Sequence, residues 1–130
     1  MRTLTPPTIR PPFAHYSHGV EVPGGARMVF VSGQLGITPA DEIPDDAGAQ
    51  AELCFQAIGE ILRAAGMEMS DLVRINAFVT DRAHLKSYME VRDRYVSAPP
   101  PASTLMIVSG FARPEFKVEV EITAFNGKVL

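Results

Sequence analysis

The sequence predicts an α+β domain of order β-β-α-β-α-β-β, a single sheet with two helices on one face. Three observations carry this. Apolar residues alternate with polar ones over 73–80 and again over 116–125, the two-residue period of strands. Residues 53–65 instead repeat apolar side chains at a spacing of four, which is helical. Between these segments, Pro and Gly clusters punctuate the chain.

The elements follow in order. Pro6, Pro7, Pro11 and Pro12 fix φ and remove backbone donors, so residues 1–14 read as an extended, irregular arm ahead of a domain at 15–130. Tyr16–Val22 reads as a short strand. Met28–Ser32 is a compact apolar run ending at Gly33, and Pro23-Gly24-Gly25 would let the two pair as a hairpin. After the turn-rich stretch 36–48, Asp45 or Asp46 supplies an N-cap for a helix. Its buried stripe is expected around Leu53, Ala57, Ile61 and Ala65, flanked by Cys54, Ile58 and Leu62, with Gly66 as the terminating glycine. Val73, Ile75, Ala77 and Val79 form one face of the next strand. Asp81 caps a second helix carrying Leu85, Tyr88, Met89, Arg92 and Tyr95, and Pro99-Pro100-Pro101 ends it. Ser103–Val108 and Phe116–Phe125 are the last strands. On the final strand Glu119, Glu121 and Thr123 make one face partly polar, and no third helix remains to cover it. Such a sheet is expected to pack against copies of itself.

Composition narrows the function. The 130 residues hold 12 Lys plus Arg and 15 Asp plus Glu, a net charge of −3, and no basic run, which argues against a nucleic-acid surface. Cys54 is the only cysteine, so an intrachain disulfide and a thiolate metal cluster are excluded. Its place in the helical stripe predicts an inert, buried thiol. The first residues lack an apolar signal-peptide core and no run reaches the length of a membrane span, so a cytoplasmic protein without membrane partners is expected. No phosphate loop, GxGxxG turn or GxSxG elbow is present. His15 and His18 would point to opposite strand faces and do not form a metal site.

Two features could carry chemistry. Glu119 and Glu121 share a strand face; they are either a pair dividing acid and base roles or a solvated, salt-bridged surface. Ser32 at the end of an apolar strand either lines a cleft or merely ends the strand.

Several segments together go further. Ala-His-Tyr-Ser-His-Gly-Val at 14–20, Val-Phe-Val-Ser-Gly-Gln-Leu-Gly at 29–36, Ala-Ala-Gly at 64–66, Asp-Leu-Val-Arg-Ile-Asn-Ala-Phe-Val-Thr-Asp at 71–81, Pro-Pro-Ala-Ser-Thr at 100–104 and Lys-Val-Glu-Val-Glu at 117–121 resemble, in order, the reactive intermediate deaminase family, the RidA/YjgF group. The resemblance implies a chorismate-mutase-like fold and a barrel-forming homotrimer with ligand clefts between subunits. It implies cofactor-independent hydrolysis of imines and enamines, with no metal. It implies that Tyr16, Ser32, Gly33 and Thr104 line the ligand and that Glu119 holds the attacking water. Ala102 departs from the pattern: it stands where the family's Pro-Ala-Arg-Ser-Thr places an arginine that forks onto the substrate carboxylate. The expected ligand is therefore an imine, enamine or related small molecule other than a simple 2-imino acid. A metabolite-binding trimer without chemistry is the alternative, and the endoribonuclease activity named in family labels finds little support in the charge. Arg113, Arg10 and His18 are the candidates for a substitute anchor.

Overall fold

The computed structural model describes residues 1–127, so the last three residues of the expected domain lie outside it. Its strands are β1 (Arg2–Leu4), β2 (Gly19–Glu21), β3 (Arg27–Leu35), β4 (Leu72–Val79), β5 (Ala102–Ile107) and β6 (Val118–Asn126). Its helices are α1 (Ala47–Ala64) and α2 (Leu85–Tyr95). A four-stranded sheet runs β3-β6-β4-β5, antiparallel except for the β4–β5 pair.

Two expectations fail at the N-terminus. The arm is not wholly irregular: Arg2, Thr3 and Leu4 pair with Glu21, Val20 and Gly19 in a separate two-stranded sheet. The expected hairpin is absent, because β2 takes β1 as its partner while β3 takes β6 from the far end of the chain. All four prolines of the arm fall between β1 and β2, outside either strand, so the missing donors do not interrupt the pairing.

The first helix starts as its chemistry requires. The Asp46 carboxylate accepts from Ala49 N at 2.8 Å, satisfying one of the unpaired first-turn donors. It ends in a Schellman turn: Gly66 takes φ +70°, its N–H reaches Arg63 O, and Met67 N–H reaches Leu62 O at 2.8 Å. The buried stripe is Ala47, Ala51, Cys54, Phe55, Ile58 and Leu62, rotated by about one residue from the expected one. Leu53 and Ala57 are half-exposed beside Ile37 and Pro39. Asp81 caps a single 3₁₀ turn, Arg82–His84, which then feeds α2.

Core and open face alternate along each strand. Ile75, Ala77 and Val79 of β4, and Val118, Val120, Ile122 and Ala124 of β6, pack with both helices into one core. Their neighbours Arg74, Asn76, Phe78, Glu119, Glu121 and Thr123 face the other side and are only half-buried. On that side Met28, Phe30 and Met106 are 44%, 76% and 48% exposed, the first two on β3 at one edge of the sheet and Met106 on β5 at the other.

Gln50 locks the loops that flank this sheet. It is fully buried; its amide donates to Pro44 O (2.8 Å) and Glu115 O (2.9 Å) and accepts from Lys117 N (2.8 Å). Every polar atom of the side chain is thereby used.

Candidate functional site on the open sheet face

A β-bulge builds one half of the site. Val31 pairs with Ile122 and Gln34 with Val120, so Ser32 and Gly33 together oppose Glu121 alone. The bulge brings the Gly33 backbone against the neighbouring carboxylate: a Cβ at Gly33 would lie 1.8 Å from Glu119 Oε1. Only glycine leaves that carboxylate its place. Ser32 is exposed, and its backbone oxygen accepts from Gln34 Nε2 at 3.0 Å. Burial, reinforced by the charge of Glu121, pushes the Glu119 carboxyl above the usual 4.5. A carboxylate so placed can act as a base toward a water molecule on this face.

The other half lies across the sheet. Ala102 pairs with Arg74 and Thr104 with Asn76, all four on the open face. Arg74 Nη2 donates to Thr104 Oγ1 at 2.5 Å and its Nε to Asn76 Oδ1 at 3.0 Å; Asn76 Nδ2 donates in turn to Glu121 Oε1 at 3.3 Å. A polar network thus runs from β5 across β4 to β6.

The residues named by the resemblance do not all meet within one chain. Thr104 pairs with Asn76 and Asn76 with Glu121, so Glu119 is two strands and two residues away from Thr104, roughly 12 Å between Cα atoms by strand spacing. Tyr16 sits on the other side of β5. It lines a cleft of about 210 Å³ with Ala14, Met89, Arg92, Ser103 and Leu105, and its hydroxyl accepts from Phe13 N at 3.2 Å. Ser17 ties this segment to β5: its N–H donates to Pro101 O at 2.9 Å and its hydroxyl to Pro100 O.

The three substitute anchors also lie elsewhere. Arg10, in the arm, packs 3.7 Å from the Phe13 ring centroid, and a ring nitrogen of His18, just before β2, bonds the Arg10 carbonyl at 2.6 Å. Arg113 lies in the loop before β6, 5.8 Å from the Phe116 ring centroid. Sequence reasoning missed Arg74 and Asn76. The available signal was their position as polar alternates on the strand that joins Thr104 to Glu121.

Cys54 behaves as expected. It is fully buried, donates to Gln34 O at 3.2 Å, and burial pushes its thiol up to about 12. Among the described residues, no group of three or more His, Cys, Asp or Glu is placed to hold a metal ion, and no helix is long and apolar enough to cross a membrane.

Comparison with known proteins now decides the family. The endoribonuclease L-PSP family model matches residues 8–126, nearly the whole chain. The chain belongs to the RidA/YjgF family. Within that family, the DfrA protein of Myxococcus xanthus is 36% identical over 113 residues, covering 85% of each chain. A mouse protein named 2-iminobutanoate/2-iminopropanoate deaminase is 28% identical over 127 residues, covering 96% of this chain and 88% of its own. The crystal structure of the Rid-family protein YyfB from Yersinia pestis superposes with a TM-score of 0.83 at 32% identity, covering 95% of this chain and 96% of that one. The mixed α+β single domain, with two helices and a mixed sheet, is the architecture this RidA/YjgF chain shares with those structures.

Proposed function

We propose that the chain assembles as a homotrimer through its open sheet face and hydrolyses an imine or enamine in clefts lined by two subunits. One observation carries the reading: the Gly33 bulge holds the Glu119 carboxylate on the same face as Thr104, yet the register leaves them roughly 12 Å apart in one chain. A second copy on that face is the economical way to complete a ligand cleft. Exposed Met28 and Phe30 at one edge of the sheet and Met106 at the other supply apolar surface for it.

The chemistry needs little from the protein. Glu119 orients water and takes a proton as the oxygen adds to the C=N carbon. That proton passes to the nitrogen, giving a carbinolamine; Glu119 then takes the proton of its hydroxyl and delivers it to the nitrogen as the carbon–nitrogen bond breaks, so ammonia leaves and a carbonyl compound remains. The cleft mainly positions and excludes. Because Ala102 offers no donor, β5 presents no fork for an α-carboxylate, and the substrate is an imine or enamine other than a simple 2-imino acid. The name of the mouse relative supports the reaction class and not the choice of substrate.

Ammonia release from a panel of imines and enamines generated in situ tests the reading. Turnover that falls with Glu119→Gln supports it. Ligand-dependent thermal stabilisation without turnover favours the metabolite-binding alternative, and RNA cleavage lost with Glu119→Gln favours the nuclease. Strong keto-acid release from imines of common amino acids contradicts the substrate exclusion.

A further inference from the structure

We infer that Arg74 is the anchor for a carboxylate on the ligand, standing one strand inward from the position where the resemblance expects an arginine. The setting rests on the open-face cleft proposed above; the anchor itself rests on the following geometry. Arg74 and Ala102 are direct partners in the parallel β4–β5 ladder, so their side chains leave the same face side by side. Ala102, buried at 8% exposure, projects only a methyl there and brings no donor of its own to compete with the guanidinium.

The guanidinium is oriented but not neutralised. Its Nε and Nη2 are held by Asn76 Oδ1 and Thr104 Oγ1, both uncharged. Among the described residues it has no carboxylate partner, since Glu121, the acid next along this network, is engaged by Asn76 Nδ2 instead. Two of its five N–H donors are spent, leaving the three others on Nη1 and Nη2 as a fork for a planar anion. Fixing one edge with neutral acceptors holds the other edge ready, which is how a bidentate carboxylate site is preorganised. Arg92, the buried alternative, donates from Nε to Asp93 at 3.0 Å while its Nη2 makes no hydrogen bond among the described residues, but it opens on the Tyr16 cleft on the helix side of β5 and not on the face that carries Glu119.

Binding of two isomeric probes, 2-oxopentanoate and 4-oxopentanoate, to the assembled protein tests this by calorimetry or ligand-observed NMR. The wild type should bind at least one, and Arg74→Gln should weaken that binding about tenfold or more with the assembly mass unchanged. Arg74→Lys keeps the charge without the fork and should recover part of the loss. Adding Ala102→Arg to Arg74→Gln should restore affinity to within about threefold by returning the fork to β5. Ala102→Asp, which leaves Arg74 in place but gives it an internal carboxylate, should also abolish binding, and serves if Arg74→Gln does not fold. Unchanged affinity in Arg74→Gln or Ala102→Asp, or no binding of either probe by the wild type, overturns the inference. Arg74-dependent binding without any hydrolysis upholds the anchor while the hydrolase reading fails. Arg74-dependent preference for 2-oxopentanoate upholds it while removing the exclusion of simple 2-imino acids.

Discussion

The two faces of the four-stranded sheet are made by alternate residues of the same strands, yet they differ in kind. On one, Ile75, Ala77, Val79, Val118, Val120 and Ile122 are sealed by two helices into a finished core. On the other, Arg74, Asn76, Glu119 and Glu121 stand among exposed Met28, Phe30 and Met106 with nothing over them in a single chain. The first face is complete at the level of the chain; the second is left open, and we propose that another copy completes it. On that proposal stability and function are separated by one residue step along a strand, so substitutions at neighbouring positions should report on different properties.

The largest expected effect breaks the open face as an interface. Phe30→Asp puts a charge beside Met28 on the exposed apolar edge of β3 and should dissociate the assembly and abolish turnover, while circular dichroism of the single chain stays native; an intact assembly in sedimentation would contradict this. Glu119→Gln should lower turnover about 10²–10⁴-fold without loss of assembly. On the structural side, Gln50→Ala strands two carbonyls and one N–H at the loop junction and should cost about 2–4 kcal/mol in urea unfolding. Gly33→Ala forces a Cβ into the Glu119 carboxylate, a flexible side-chain end that can swing away. Turnover should fall about 10–100-fold with little change in unfolding midpoint.

The smallest effect is on pH dependence. Glu119 is raised by burial and by Glu121, so the native state holds its proton more tightly than the unfolded chain does. Stability contributed by that proton is present below 4.5 and is lost as pH rises through the higher native value. Glu119→Gln should therefore be slightly more stable than the wild type at pH 7, with the difference vanishing below pH 4.5. The acid limb of turnover should lie above 4.5 as well, because the base must be ionised to act.

The finished face was the more legible of the two in the sequence. Period two in 73–80 and 116–125 placed β4 and β6, and the Asp46 cap and Gly66 turn bounded α1, because these signals are local. Strand partnership was not local. The Pro23-Gly24-Gly25 turn indicates a hairpin, but β3 gains more by pairing along β6 beneath α1, and β1 claims β2. The rotation of the α1 stripe by one residue has a similar origin: Gln50 belongs to the buried face for its three hydrogen bonds, which hydrophobic spacing does not register. Glu119 stood out by sharing a strand face with Glu121 and took its role from resemblance, as did Gly33 and Thr104. Arg74 emerged only from the parallel register that sets it beside Ala102.

Sedimentation equilibrium of the purified chain at micromolar concentration tests most directly whether the open face is a surface between copies. Three chains of 14.1 kDa predict a mass of about 42 kDa, closed and independent of concentration. A mass of one or two chains would contradict it.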